Sequence, residues 1–459
     1  MPMVVLYRQA TNTKVTSKRV GTYGLSLLLL KYPKYITRNQ HFKFYSGVLR
    51  DSGHAMRIKM KKRKVIIILL AVIFVLTGCG KKNASNTSSL VIWHDKEDAV
   101  IEVLEKHLKE TVPEVEVTFE KKTGLTESLK LVGNDPSSAP DMYLFAHDKL
   151  GVYAEMGILS PLTDFITKEE LSDYIPLTLS SATYKGEIYQ LPLYFETLLF
   201  VYNKKYMSDE EVPKTTEELY KYMVSKTKYG HYGFVEQHST PYYAVGWVHA
   251  FGSDYISPDG VPLFDTEEMK EALSYHKKFV SLMPGETEYA TVNTLFLEGM
   301  AHTSIVGPWF VPSIKDKGID VGFAQMPVVD STGEPISPYC GVQGVHVIKV
   351  HAEEKKEAIT KVLKALMSPQ VGVDLALSTG AAPSRLSSYE NEEVKNNTLV
   401  MLMRQTAESA APMPNIPELD PVFVVAGNLL TDINMSGMDI DEAAEKAQKK
   451  ALELIGNMR

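Results

Sequence analysis

Leu90-Val91-Ile92-Trp93 is followed by a segment from Glu97 to Glu110 and then by Val115-Glu116-Val117-Thr118-Phe119. The first run is uninterruptedly apolar and predicts a buried strand. In the middle segment Ala99, Val100, Val103, Leu104 and Leu108 recur at helical spacing. The last run alternates apolar with polar residues, the pattern of a second strand. Two strands separated by a helix make the βαβ unit of a parallel sheet, so the fold class is α/β.

The same alternation continues outward. Asp141-Met142-Tyr143-Leu144-Phe145 follows a loop from Asn134 to Pro140, and a strand from Thr197 to Tyr202 precedes a helical stretch from Thr216 to Lys226. An amphipathic stretch from Thr266 to Leu282, a strand near Thr303 to Val306, and helices from Ala352 to Met367 and Asp439 to Ile455 complete the pattern. No internal repeat is visible. With 459 residues the chain is long enough to bury two cores, so two domains are the expectation.

Charge changes sign along the chain. Met1 to Lys64 carries 15 Lys and Arg against one acid, Asp51, which leaves 34 basic and 55 acidic residues downstream, a net of −21. That balance argues against nucleic acid as a partner, because phosphate binding needs clustered Lys and Arg on one face. The two cysteines, Cys79 and Cys340, are too few for a disulfide framework and lack the spacing of a metal site. No nucleophile elbow, phosphate loop or HExxH is present, and no cofactor or metal is expected.

Near the N-terminus, Lys59-Met60-Lys61-Lys62-Arg63-Lys64 precedes an uncharged run from Val65 to Leu76. At about twelve residues this run is shorter than the ~20 that cross a bilayer, and a basic flank before a short apolar stretch is the layout of a secretory signal. It ends in Leu76-Thr77-Gly78-Cys79, which resembles the bacterial lipobox and implies lipidation of Cys79 at the outer face of the cell membrane. The other reading is a plain signal peptide that happens to contain Cys79. The expected division is a non-native or disordered extension over 1–59, with translation beginning at Met56 or Met60, a signal over 60–78 and a flexible polar tether over 79–88.

Several segments, in order, resemble the maltose- and maltodextrin-binding proteins of ABC importers. They are Leu90 to Trp93; Phe145-Ala146-His147-Asp148-Lys149-Leu150-Gly151; Tyr184-Lys185-Gly186-Glu187-Ile188-Tyr189-Gln190-Leu191-Pro192; Glu196 through Tyr202-Asn203-Lys204; Gly307-Pro308-Trp309; and Met413-Pro414-Asn415-Ile416-Pro417. The likeness spans nearly all of Leu90 to Ile455. It implies a hinged, two-lobed fold of the type II periplasmic-binding-protein class that holds sugar in the interdomain cleft. Hinge crossings are expected near Tyr194-Phe195, Pro327 and Ala382-Pro383. Lobe 1 would then be 89–194 plus 328–381, and lobe 2 would be 195–327 plus 382–459. The resemblance further implies a monomer that delivers a maltodextrin-type oligosaccharide to the permease subunits of an ABC transporter.

Carried over by position, the resemblance assigns first-lobe polar contacts to Asp95, Lys96, Asp148 and Lys149, a further contact to Glu196, and stacking to Tyr242, Trp309 and Phe423. Phe145 and Phe423 stand where familiar members have tryptophan, and Phe145 is divided between cleft wall and core. Such a set suits a sugar: its C–H faces lie on aromatic rings, while carboxylates accept hydroxyl protons and lysines donate to oxygens. Three alternatives stay open. The cargo could be a cyclodextrin, another glycan or a polyol. Asp148 and Glu196 could be the paired carboxylates of a glycosidase, which need about 5–10 Å between them. The chain could also be an adhesive surface lipoprotein, which would need no aligned aromatics.

Overall fold

The computed structural model describes residues 88–285 and 288–458. The expected signal, the lipobox with Cys79 and nearly all of the tether lie outside the described residues. Among those described, nine strands have four or more residues: β1 (Ser88–His94), β2 (Val115–Lys121), β3 (Met142–Ala146), β4 (Gln190–Glu196), β5 (Leu199–Asn203), β6 (Tyr232–Val235), β7 (Ala301–Val306), β8 (Val321–Ala324) and β9 (Tyr339–Ile348).

In the first sheet β1 pairs in parallel with β2, Leu90 opposite Val117 and Ile92 opposite Phe119, and with β3, Ile92 opposite Met142. β9 runs antiparallel between β3 and β4, so the sheet is mixed. Its order is the short strand Ala382–Pro383, then β4, β9, β3, β1 and β2. Leu90, Ile92, Val345 and Val347 point into one core, against helices α1 (Asp98–Thr111), α4 (Lys356–Leu366) and α5 (Pro369–Thr379). Trp93, Tyr143 and Ile348 point into another, with Leu125, Leu129 and Tyr153. Cover on both faces is why the β1 sequence is a continuous apolar run. α1 buries Val100, Ile101, Leu104 and Leu108, each large side chain worth roughly 1.5–3 kcal/mol, with Asp98 in its first turn and Lys109 in its last, as the helix dipole favours.

The second sheet has the order β8, β5, β7, β6, with β5 antiparallel to both neighbours and β6 parallel to β7. Leu198, Phe200, Phe234 and Ile305 pack on one side with Trp247 of α2 (Pro241–His249) and Phe279 of α3 (Glu267–Val280). Val201, Val235, Phe296 and Phe310 fill the other. A separate core joins α2 and α3 to α6 (Leu419–Asn434) and α7 (Ile440–Gly456).

The chain leaves the first sheet after Glu196, which still faces Gly341 across the ladder, and enters the second at Leu199. Both residues of the intervening turn are buried, and Thr197 Oγ1 donates to the Tyr339 carbonyl at 3.1 Å, tying the outgoing connection to the returning one. The expected helix over 352–367 is broken into Lys349–Ala352 and α4. The turn between them swings Lys355 inward, where its Nζ lies 2.8 Å from Asp141 Oδ1 and 3.2 Å from the Ser89 carbonyl.

Candidate functional site

Where the two sheets meet, a cavity of about 260 Å3 opens. Its first-sheet wall is built from the loop leaving β1, which carries Asp95, Lys96 and Glu97, and from one face of the adjoining strands: Ala146, Gln343 and Tyr194 in one row, Gly341 and Glu196 in the next. The opposite wall carries Tyr242, in the first turn of α2, and Trp309. Met413 completes the lining.

Local sequence explains the aromatic wall. Pro241 begins α2 and fixes its first turn, so Tyr242 is presented at the helix start. Trp309 sits in the single 3-10 turn Pro308–Phe310 after β7 and folds back over Gly307, where an added Cβ would meet the indole at 2.2 Å. The Gly-Pro-Trp order is thus what lets the ring lie along the cavity. The Tyr242 and Trp309 rings are 6.3 Å apart and inclined at 48°, two platforms set obliquely rather than one flat floor.

The polar wall is charged but not uniformly free. Lys96 is buried, pairs with the exposed Asp95 at 2.8 Å, and lies 5.1 Å from the centre of the Phe145 ring. Gln343 donates from Nε2 to Glu196 Oε2 at 3.2 Å. Glu196 lines the cavity and is half-buried. Burial raises its carboxyl to about 7, opposed by the charge of Lys96 and reinforced by that of Glu97. Burial, with help from Glu196, also holds the Tyr242 hydroxyl well above its ordinary range. The facing groups are therefore an ammonium, a carboxylate poised near neutrality, an amide and a neutral phenol, a set of directional donors and acceptors.

Of the residues assigned from the sequence, Asp95, Lys96, Glu196, Tyr242 and Trp309 come together in this cavity from positions far apart in the chain. Phe145 lies beneath Lys96 rather than on the cavity wall. Asp148 and Lys149 form a neighbouring ionic cluster: Lys149 pairs with Asp148 at 3.0 Å and, more closely, with Asp420 of α6, which also meets Lys130 at 3.6 Å. Burial alone would lower the Lys149 pKa, but Asp148 and Asp420 outweigh it and hold it above its ordinary value. Ala146, two residues before Asp148, lines the cavity, and so does Met413, whose carbonyl lies 2.7 Å from Nε2 of the adjacent His147, so the cluster flanks the cavity. Phe423 packs edge-on against Tyr255 and stacks with Tyr339, each at 6.1 Å.

Sequence reasoning missed Glu97, Tyr194, Gly341, Gln343 and Met413. Gln343 stands out only once the structure shows it as a polar side chain inside a strand whose ten residues are all buried. Cys340, its neighbour but two, is fully buried, and burial followed by the charge of Glu196 pushes its thiol far from the reactive range. Among the described residues no group of His, Cys, Asp and Glu could hold a metal, and no helix is long and apolar enough to cross a membrane.

Residues 102–401 match the bacterial extracellular solute-binding protein family. The chain is 30% identical over 382 residues to a maltotriose-binding protein of Pyrococcus abyssi, covering 80% of this chain and 82% of that one. It is 26% identical over 418 residues to a galactooligosaccharide-binding protein of Bacillus subtilis, covering 84% and 97%. In structure it is similar to a maltose/maltodextrin-binding domain from Bdellovibrio bacteriovorus bound to maltotriose, with a TM-score of 0.70, 27% identity, and coverage of 80% of this chain and 99% of that one. The architecture is the two-lobed type II solute-binding fold.

Proposed function

Because the chain belongs to the bacterial extracellular solute-binding protein family, we propose that it captures maltodextrin-type oligosaccharides outside the cell and hands them to the permease subunits of an ABC importer. The observation that carries this reading is the cavity between the sheets, in which the oblique rings of Tyr242 and Trp309 face Lys96, Glu196 and Asp95. A glucosyl ring placed there lays its C–H faces on the aromatics and turns its hydroxyl rim toward the charged wall.

The capture step is lobe closure about the connections that follow Glu196, precede Tyr339 and adjoin Ala382–Pro383; the second lies past the crossing expected near Pro327, because Val329 and Ile336 still pack in the core of the second sheet. Asp95 and Lys96 lie in lobe 1, Tyr242 and Trp309 in lobe 2, and Glu196, expected in lobe 2, still pairs with Gly341 of the first sheet at the crossing itself, so the ligand bridges the lobes. Asp148 and Lys149, beside the Tyr242 end, serve a further glycosyl unit of a longer chain. The molecule acts as a monomer, held to the membrane by a lipid on Cys79, a reading supported by the lipobox-like Leu76-Thr77-Gly78-Cys79.

Calorimetry on the chain from Ser88 onward, with maltose, maltotriose, maltotetraose, a cyclodextrin and a galactooligosaccharide, tests this proposal, with a parallel assay for new reducing ends. Binding of the α-glucans without turnover is expected. Preference for the galactooligosaccharide would change the cargo, and release of reducing ends would replace the transport reading with a hydrolytic one.

A further inference from the structure

Among the described residues, four glycines lie inside strands of four or more residues, and none of them has a positive φ. Three are held to glycine by the surrounding protein. An added Cβ would collide with the Met223 backbone at Gly233 in β6, with the Tyr202 ring at Gly322 in β8, and with the Leu191 carbonyl oxygen at Gly344 in β9. Gly341, also in β9, is different. There a Cβ would meet only the Glu196 carbonyl oxygen at 3.9 Å and the Tyr242 hydroxyl at 4.0 Å, both ordinary van der Waals distances. Neither backbone geometry nor packing calls for glycine, although glycine inside a strand costs conformational entropy and leaves nothing to pack. The open position belongs to the cavity, since Gly341, Glu196 and Tyr242 all line it. It lies on the floor, in the row that pairs Gly341 with Glu196, next to the row of Gln343 and Ala146. A strand glycine with room for a side chain marks a place where a ligand comes up against the backbone.

We propose that Gly341 is a specificity-determining residue: the ligand takes the space where a side chain would stand, so that the hydroxyl-bearing edge of one glycosyl ring lies directly on the backbone of β9 between Glu196 and Tyr242. The inference rests on the sugar-binding reading above and adds to it the place where ring shape is read. Lys96 and Glu196 recognise hydroxyls by direction, whereas bare backbone recognises bulk. Gly341 is paired with Glu196 in the ladder between β9 and β4, and its strand is buried along its whole length, so the floor cannot retreat. A ring that carries a larger substituent on that edge is excluded by overlap, and one that carries less is admitted.

The test adds a methyl to the protein and removes a hydroxyl from the sugar. Thermal unfolding of wild type, Gly341→Ala and Gly344→Ala is followed without sugar, and the first two are titrated calorimetrically with maltotriose and with a panel of its monodeoxy derivatives. Gly341→Ala is expected to melt no lower than wild type, because its methyl fits and alanine gives the unfolded chain less freedom. Gly344→Ala, which collides with Leu191, is expected to melt lower. Gly341→Ala should bind maltotriose roughly tenfold or more weakly, as an extra methyl in a filled space does. For one monodeoxy derivative the sugar makes room again, and the ratio of wild-type to variant affinity should fall to about threefold or less. Equal affinity of Gly341→Ala and wild type for maltotriose overturns the inference. So does a penalty undiminished across the panel, since the methyl would then act by moving protein groups rather than by meeting the sugar. A Gly341→Ala protein that melts well below wild type, or does not fold, shows that protein already fills the position, and overturns it too. Failure of wild type to bind any α-glucan instead overturns the functional reading, a distinguishable outcome.

Discussion

The indole nitrogen of Trp247 donates to both carboxylate oxygens of Glu236, at 3.1 and 3.2 Å, and neither side chain reaches solvent. His276 closes the group, with its Nε2 2.6 Å from Glu236 Oε1 and its ring stacked 4.9 Å from that of Trp247. Glu236 directly follows β6, Trp247 lies on α2 and His276 on α3, so one carboxylate joins the three elements that shape the second lobe behind Tyr242.

Glu236→Ala strands an indole N–H and an imidazole in the interior, and should destabilise the fold by about 3–5 kcal/mol in urea or guanidinium unfolding. Glu236→Gln keeps one acceptor and should cost less than half as much. Equal losses in the two variants would mean that the site stabilises by packing alone.

Trp309→Ala should weaken maltotriose binding by at least ~1 kcal/mol, as loss of a central aromatic anchor does. Gly307→Ala keeps the ring but pushes it off the cavity wall, and is expected to lose most of the same affinity. A Gly307→Ala protein that binds like wild type would show that the position of the indole over the cavity is immaterial.

Burial pushes the carboxyl of Glu196 up to about 7 in the folded protein, against 4.5 as its ordinary value. Between those values the folded state holds a proton that the unfolded chain has released, so this residue's contribution to stability falls as pH rises through that window and is level beyond it. Glu196→Gln removes the effect. Relative to wild type, the variant should therefore gain ~1–3 kcal/mol of stability between pH 4.5 and pH 8. A difference that is flat with pH would place the Glu196 titration at its ordinary position.

Asp148→Ala releases the partner that Lys149 shares with Asp420. Because this cluster flanks the cavity rather than lining it, the change should cost maltotetraose at least fivefold more affinity than it costs maltose, read by calorimetry. A uniform loss across chain lengths would put Asp148 against the same ring as Trp309.

Much of the fold is legible locally. The α1 and β2 segments, the helix Thr216–Lys226, α3 and α7 announce themselves because each buries one face whose period is imprinted on the sequence, and β1 does so as an unbroken apolar run because both of its faces are covered. β9 does not, although it is the central antiparallel strand of the first sheet. Gly341, Gln343 and Gly344 interrupt its apolar pattern, and the ladder itself shifts register between Gln343 and Gly344. The candidate site divides the same way. Asp95, Lys96, Glu196, Tyr242 and Trp309 are visible through the order and spacing of motifs. The commitment of Lys149 to Asp420 is not, since its partner lies 271 residues away on a helix with no local mark.

The cavity floor is made from a strand, and this limits how the protein can change its taste. Gly341 and Gln343 face the ligand space, while Val345 and Val347 of the same strand sit in the interior that holds the first lobe together. A loop can be exchanged without disturbing what lies behind it, whereas every substitution at 341 or 343 must also be accommodated by the ladders to β3 and β4. New preferences should therefore arise first on the aromatic wall, at Tyr242 and Trp309, and the polar floor should diverge last.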